Sequence, residues 1–220
     1  MLRIGLTGGL GSGKSTVARM LAARGAHLLD SDTIGRELMS DSSSGLRDAI
    51  VARFGPEVLQ ADGALDRSVL ARLAFGEGRV EELNALVHPA VLARQATLIA
   101  EIAAGDSRAI VVVESALLFE TKHAGSNGWR GRFDRVVLVT APETTRIGRY
   151  VARQTAILGE RTASRQVQVR EAEKRMSHQL PEEEKIAWSD FVLRNNGTLA
   201  ELEAQVAELW EALVHIPQIS

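Results

Sequence analysis

The segment from Gly8 to Ser15 has the sequence GGLGSGKS, which fits the pattern G-x-x-x-x-G-K-S. Its glycines allow a tight turn whose backbone N–H groups point inward at phosphate oxygens. A helix starting directly after the turn would add further donors and the positive end of its dipole. Lys14 can then reach the β and γ phosphates, and the Ser15 hydroxyl can bind Mg²⁺. The segment therefore predicts a site for a magnesium-bound nucleoside triphosphate.

Two carboxylates follow a second short apolar run, in the sequence AHLLDSD. Ligands of open α/β sheets bind at the carboxyl ends of the strands, so Asp30 and Asp32 are expected beside the phosphate loop. In an extended segment residues two apart point the same way, so both could face the site. One of them could accept the proton of an acceptor hydroxyl as a general base. The alternative is that one of them caps a helix.

A third acidic residue, Glu114, ends the apolar run AIVVVE. An acidic side chain in this position commonly helps to hold Mg²⁺, directly or through water. Glu114 and Ser15 are therefore the candidate metal-binding residues, and a purely structural role for Glu114 stays open.

Basic side chains are concentrated between Arg146 and Arg175. This segment has seven arginines and one lysine against three glutamates, a local charge of +5 in a chain whose net charge is −2. Arg146, Arg149 and Arg153 are spaced three and four apart and share one helical face. Guanidinium groups over a triphosphate would stabilise the transferring phosphoryl group, and a closing lid would exclude water. The alternative is a solvated basic face.

The elements that position these residues follow a βα repeat. Apolar runs without alternation predict buried strands of a parallel sheet, and helical patterns lie between them. The predicted strands are residues 2–7, 26–30, 109–114, 135–140 and 190–194. The expected fold is α/β, a doubly wound parallel five-stranded sheet of the P-loop NTPase class, with a last helix from Thr198 to Val214.

The remaining segments suggest three units. The nucleotide-binding core would comprise residues 1–59, 107–142 and 188–220. Residues 60–106 are predicted to form a helical substrate-binding insertion, and residues 143–187 an arginine-rich helical lid.

Composition excludes several classes of protein. The chain of 220 residues has no cysteine, which rules out disulfides, thiolate metal sites and a cysteine nucleophile. A net charge of −2 makes nucleic acid an unexpected partner. No apolar run reaches the ~18 residues of a membrane span, and the first residues do not resemble a signal peptide. We expect a cytoplasmic protein that binds neither membrane nor nucleic acid, and the sequence makes no prediction of oligomeric state.

The absence of other motifs excludes several classes of nucleotide-binding protein. The D-x-x-G and N/T-K-x-D motifs of GTP switches are absent, as is the second glycine-rich signature of transport ATPases. The pattern favours a small-molecule kinase, acting on a nucleoside, nucleotide, sugar acid or larger acceptor. A nucleotide-binding regulatory protein without catalysis is a further alternative, which Lys14, Ser15 and Asp32 argue against.

The chain closely resembles the dephospho-coenzyme A kinases over nearly its whole length. The resemblance rests on the ordered segments GLTGGLGSGKSTVA, DSD with IGRE, GALDRSVLARLAF, LVHPAV, ALLFE, RIGRYVAR, RMSHQ and SDFVLRNNGT. It implies transfer of the γ-phosphate of ATP to the ribose 3′-hydroxyl of dephospho-coenzyme A, with Mg²⁺ as the cofactor. ATP and dephospho-coenzyme A would be its small-molecule partners.

The resemblance also implies roles for individual residues. Asp32 would be the catalytic base, with Lys14, Arg149 and Arg153 as further catalytic residues, and Thr7, Asp32 and His88 would bind the acceptor. The residues implied in ATP binding are Gly8, Gly9, Gly11, Ser12, Gly13, Lys14, Ser15, Thr16, Asn196 and Gly197.

Some of these positions have simpler explanations. His88 could precede a helix that starts at Pro89, and Asn196 could be only a turn residue. The chain has Glu114 and Ala116 where many members of the family have Asp and Pro, and residues 121–132 form a longer loop than is usual there.

Overall fold

Five parallel strands form one sheet in the computed structural model, which describes residues 1–120, 128–159, 163–177 and 179–217. The strands are β1 Leu2–Thr7, β2 His27–Asp30, β3 Ile110–Glu114, β4 Arg135–Thr140 and β5 Phe191–Arg194. Their order across the sheet is β2-β3-β1-β4-β5. The predicted fold class is confirmed, because all five apolar runs are strands of this sheet.

Helices connect the strands and cover both faces of the sheet. The α-helices of the described residues are α1 Lys14–Ala22, α2 Ser31–Ser40, α3 Leu46–Phe54, α4 Arg67–Ala71, α5 Val80–Gly105, α6 Glu143–Leu158, α7 Arg165–Ser177, α8 Glu182–Ala187 and α9 Leu199–Val214. A π-helical turn, Arg72–Gly76, follows α4. No helix among the described residues is long and apolar enough to cross a membrane.

The continuous apolar runs are explained by burial on both faces of the sheet. In β3, Ile110 and Val112 pack with α1 and α9 on one face, while Val111 and Val113 pack with α2 and α5 on the other. Successive side chains of a strand point to opposite faces, so a strand covered on both sides needs apolar residues at every position. All five residues of β3 are buried.

The segment between β2 and β3 is mainly helical, with an isolated antiparallel bridge between Leu59 and Leu65, and it has a core of its own. Leu46, Ile50 and Phe54 of α3 pack with Val58 and Leu70 in this cluster. The helix α3 therefore packs with the predicted insertion, although the predicted boundary at residue 60 assigned it to the nucleotide-binding core.

The arginine-rich segment forms α6, α7 and α8. Tyr150 and Val151 of α6 pack on Ala172 of α7, so these two helices form a pair. The helix α8 is attached differently: Lys185, which is 3% exposed, forms an ion pair with Glu120 across 2.9 Å. Glu120 lies in the segment that follows β3.

Candidate active site

The phosphate loop lies between the end of β1 and the start of α1, at the carboxyl edge of the sheet. Two of its glycines have left-handed backbone angles, with φ of +74° at Gly11 and +99° at Gly13. A Cβ atom at Gly11 would overlap the backbone of Arg146, and one at Gly13 would overlap the amide of Asn195. Glycine is thus required at both positions by backbone angle and by space.

Side chains from two other elements hold the loop. The Asn195 amide donates to the Ser12 carbonyl at 2.9 Å, and Arg149 donates to the same carbonyl at 3.3 Å. Arg149 also donates to the side-chain and backbone oxygens of Asn195, each at 3.2 Å. Arg149 therefore supports the loop from α6, and Asn195 supports it from the end of β5.

Asn195 was missing from the predicted site. Its position directly after a strand, at the carboxyl edge of the sheet, was the signal that could have found it. The predicted neighbours of ATP, Asn196 and Gly197, are exposed and line an open cavity of about 460 Å³ with Arg194 and Gln205.

Ser15 and Glu114 are brought together as expected for a metal site. The Ser15 hydroxyl donates to the Glu114 carboxylate at 2.7 Å, and Glu114 is 8% exposed. A hydroxyl and a carboxylate are hard oxygen donors of the kind that Mg²⁺ takes together with substrate phosphates and water. No group of three or more metal-binding side chains occurs in the described part of the chain. These two residues therefore fit a cation that is held mainly by a bound nucleotide.

Lys14 is the half-buried cation of the loop. Burial lowers the pKa of its ammonium group below the ordinary 10.5, while the charges of Glu114 and Asp32 act in the opposite direction and raise it. The positive charge of Arg153 lowers this pKa further. Lys14 thus lies within electrostatic range of the candidate metal ligand, the candidate base and one predicted lid arginine.

Asp30 and Asp32 occupy different environments. Asp30 is the N-cap of α2, where its carboxylate accepts from the N–H of Asp32 at 2.9 Å and from that of Thr33 at 3.1 Å. Asp32 lies in the first turn of the helix and is exposed. The expectation of an extended segment with both carboxylates facing the same way was wrong, because the helix starts at Ser31.

The three spaced arginines all approach the phosphate loop region. Arg146 lies against Gly9 and Gly11, and its guanidinium is 3.5 Å from the Glu182 carboxylate. Arg149 binds the loop as described above, and Arg153 is exposed. The shared helical face that their spacing predicted is directed at the loop.

A cavity of about 330 Å³ lies between the phosphate loop and the lid helices. Its lining includes Gly9, Arg146, Gln179 and Glu182. The Gln179 side chain accepts from the N–H of Leu10, at the tip of the loop, at 3.3 Å. Gln179 is a second residue that the sequence analysis missed, since nothing in its spacing marks it.

The remaining predicted residues are buried or helical. Thr7 is fully buried at the end of β1, and its hydroxyl has no hydrogen-bond partner among the described residues. Thr16 lies in the first turns of α1. His88 lies within α5, which continues through Pro89, so the alternative of a helix starting at this proline was wrong. The apolar contacts along the 26 residues of α5 stabilise the helix by more than the loss of one backbone hydrogen bond at Pro89 destabilises it.

The loop has the sequence and the backbone turn of a triphosphate-binding loop, and Arg146 and Arg149 of α6 lie against it. Asp32 is exposed in the first turn of α2. These features define a P-loop kinase, an ATP-dependent enzyme that phosphorylates a hydroxyl group and uses a divalent metal ion.

Comparison with known proteins gives the particular family. Residues 2–201 match the family model described as Dephospho-CoA kinase. The Dephospho-CoA kinase of Thermobifida fusca is 39% identical over 214 residues, which cover 97% of this chain and 96% of that protein. The chain belongs to the dephospho-CoA kinase family.

Solved structures agree with this fold. A Thermus thermophilus protein of known crystal structure is 35% identical, with a TM-score of 0.71 and coverage of 96% of this chain and 97% of that one. The dephospho-CoA kinase of Campylobacter jejuni has a TM-score of 0.63 at 19% identity, over 96% of each chain. At that identity the second likeness supports the fold alone.

Proposed function

We propose that this protein transfers the γ-phosphoryl group of ATP to the ribose 3′-hydroxyl of dephospho-coenzyme A, giving coenzyme A and ADP, the final step of coenzyme A biosynthesis. The observation that carries the residue assignment is the contrast between Asp30, which caps α2, and Asp32, which is exposed beside the phosphate loop. The site has one carboxylate free to meet an acceptor hydroxyl.

The phosphate loop binds ATP through its backbone N–H groups, and Lys14 neutralises the β and γ phosphates. Asp32 accepts the proton of the 3′-hydroxyl as that oxygen attacks the γ-phosphorus. Arg149 and Arg153 stabilise the charge on the transferring group. Arg149 has a second task, because its contacts with Ser12 and Asn195 also keep the loop in shape.

Mg²⁺ is the cation we propose for this site, with Ser15 and Glu114 as its protein ligands, directly or through water. When bound it would neutralise charge on the β and γ phosphates. The 2.7 Å contact between the two side chains, with Lys14 half-buried next to them, supports this choice.

The acceptor is proposed to lie between the phosphate loop and the helical insertion, against α2 and α5. Thr7 and His88 are its proposed further contacts. The segment from residue 143 to 187 acts as the lid, and Asn196 and Gly197 lie beside the adenine of ATP. Because the phosphoryl donor is ATP, the cytoplasm is the compartment we propose, with neither nucleic acid nor membrane as a partner.

ADP release in the presence of Mg-ATP tests this function. The acceptors to compare are dephospho-coenzyme A, adenosine, nucleoside monophosphates, shikimate and gluconate. We expect turnover only with dephospho-coenzyme A, and a product phosphorylated at the 3′ position. Turnover with another acceptor alone would keep the kinase chemistry and overturn the substrate. ATP binding without acceptor-dependent turnover would favour a regulatory protein.

A further inference from the structure

An amide side chain is buried in the apolar layer between α5 and the sheet. Gln95 of α5 is 1% exposed, and its helix neighbours Val91, Leu98 and Ile99 pack in the core cluster on that face. Burying an amide costs free energy unless it is hydrogen-bonded, so a glutamine in this layer requires partners.

Both ends of the Gln95 amide are bonded. Its nitrogen donates to the Ser31 hydroxyl at 2.9 Å, and its oxygen accepts from the guanidinium of Arg132 at 2.5 Å. The Ser31 hydroxyl in turn donates to the backbone carbonyl of Glu114 at 2.7 Å. The chain of hydrogen bonds therefore runs from α5 to the end of β3, where the Glu114 carboxylate accepts from Ser15.

Ser31 is the first residue of α2 and lies between Asp30, the cap, and Asp32. The same helix also packs closely on α5 one turn further on. A Cβ atom at Gly35 would be 3.5 Å from Val91 and 3.7 Å from Val87, which is ordinary van der Waals contact, so the two helices lie close together here. Apolar packing thus holds α2 on α5, and the Gln95–Ser31 bond adds a directional contact at the start of α2.

We propose that Gln95 is a positioning residue. It lies on α5, the helix that would also contact the acceptor, and by holding the start of α2 it sets the direction of the Asp32 carboxylate. This inference rests on the proposed function. His88 and Gln95 are seven residues apart on α5, which is two helical turns, so they share one side of the helix. The helix that would hold the acceptor therefore also anchors the start of the helix that carries the base.

Removing the Gln95–Ser31 bond leaves the Asp32 side chain chemically intact but allows the first turn of α2, which carries it, to shift. Misplacement of a reacting group by about 1 Å costs up to ~10²-fold in rate. We expect Gln95→Leu, which keeps the volume and removes both hydrogen bonds, to lower kcat about tenfold. Affinity for ATP should stay unchanged, because the hydrogen bonds of Gln95 go to Ser31 and Arg132, neither of which belongs to the phosphate loop.

The experiment measures kcat for ADP release with dephospho-coenzyme A, divided by the number of ATP-binding sites found by equilibrium binding. This ratio separates misplacement of the base from simple loss of folded protein. The variants are Gln95→Leu, Ser31→Ala and the double variant. The control is Thr97→Ala on the same helix, whose hydroxyl bonds only to the Ala93 carbonyl of its own helix.

A positioning role predicts a similar fall of about tenfold in kcat per ATP site for either single variant. The fall in the double variant should be clearly smaller than the product of the two single falls, because both changes break the Gln95–Ser31 hydrogen bond and each removes only one further bond of its own. Thr97→Ala should match the wild type. The proposal is overturned if kcat per site is unchanged in Ser31→Ala, or if the two single effects multiply in the double variant. Absence of wild-type turnover with dephospho-coenzyme A would instead overturn the proposed function.

Discussion

At the residue scale, Asp30 and Asp32 illustrate how two like groups in one short segment divide their tasks. The carboxylate of Asp30 is used by the backbone of α2, and that of Asp32 is exposed. A cap stabilises a helix start, whereas an exposed carboxylate in reach of an acceptor can move a proton. The two positions therefore provide a matched pair for mutation.

We expect Asp32→Asn to lower kcat by about 10²-fold or more, the size of lost general-base help, with ATP affinity nearly intact. Asp30→Asn should have a small effect, because asparagine caps helices about as well as aspartate. Steady-state ADP release and equilibrium ATP binding measure the two quantities. A normal kcat for Asp32→Asn would remove this residue from the role of base.

Because burial lowers the pKa of the Lys14 ammonium group, both protein stability and ATP affinity should depend on pH, and the sign of each dependence can be derived. Its lowered pKa means that the unfolded chain binds the proton more readily, in the window between the lowered value and the ordinary 10.5. Protein stability should therefore rise with pH through this window as far as Lys14 is concerned. ATP affinity should fall through the same window, because the phosphates require the charged ammonium group.

Measuring the dissociation constant for ATP from pH 7 up to the ordinary lysine pKa of 10.5 tests this dependence. Lys14→Met should bind ATP more weakly and without the alkaline fall. An equally steep fall in the Lys14→Met variant would assign the pH dependence to another group.

At the element scale, Gly13 and Gly148 differ in whether the structure allows a side chain in their place. Gly13 precedes α1 with a left-handed φ of +99° and with Asn195 against it. Gly148 lies inside α6, and a Cβ atom there would meet nothing within 4 Å. The first glycine is required by the fold of the loop, whereas the second only weakens its helix.

We expect Gly148→Ala to raise the free energy of unfolding by about 0.5–1 kcal/mol, the usual difference between glycine and alanine in a helix interior. Gly13→Ala should lower it by at least ~1–2 kcal/mol, because a left-handed backbone is costly for alanine. Denaturant unfolding of both variants measures the difference. A Gly148→Ala variant less stable than the wild type would contradict the expectation.

Also at the element scale, the strands and the phosphate loop could be predicted from sequence, because continuous apolar runs and a fixed glycine spacing are local signals. The start of α2 at Ser31 could not be predicted, since the side chains around Asp30 suit both a strand end and a cap. The continuation of α5 through Pro89 depends on packing across the chain. The contacts of Asn195 and Gln95 likewise join distant segments, which no local pattern encodes.

At the scale of the whole molecule, one ion pair joins the core to α8. Glu120 accepts from the backbone N–H of Leu180 at 3.1 Å as well as from Lys185 at 2.9 Å. The Lys185 side chain is 3% exposed and that of Glu120 is 16% exposed. This attachment holds α8 and the residues before it to the segment that follows β3.

We expect Glu120→Ala to lower the free energy of unfolding by about 3 kcal/mol, because it leaves a buried ammonium group without its partner. Glu77→Ala breaks a pair with Arg72 whose side chains are 49% and 61% exposed, and should change stability by less than ~1 kcal/mol. Chemical denaturation of the two variants gives the comparison. Equal small effects would show that Lys185 finds water or another acceptor.

The central position of β1 has a consequence for biosynthesis. Its neighbours across the sheet begin at Ile110 and Arg135, more than 100 residues later in the chain. At a translation rate of about 5–20 residues per second, the first strand waits on the order of 5–20 s for a partner on the ribosome. The helical segment between β2 and β3, with its local contacts, can form during that delay. The phosphate loop acquires its final support only once Asn195 has been synthesised, so its complete form belongs to the last stage of folding.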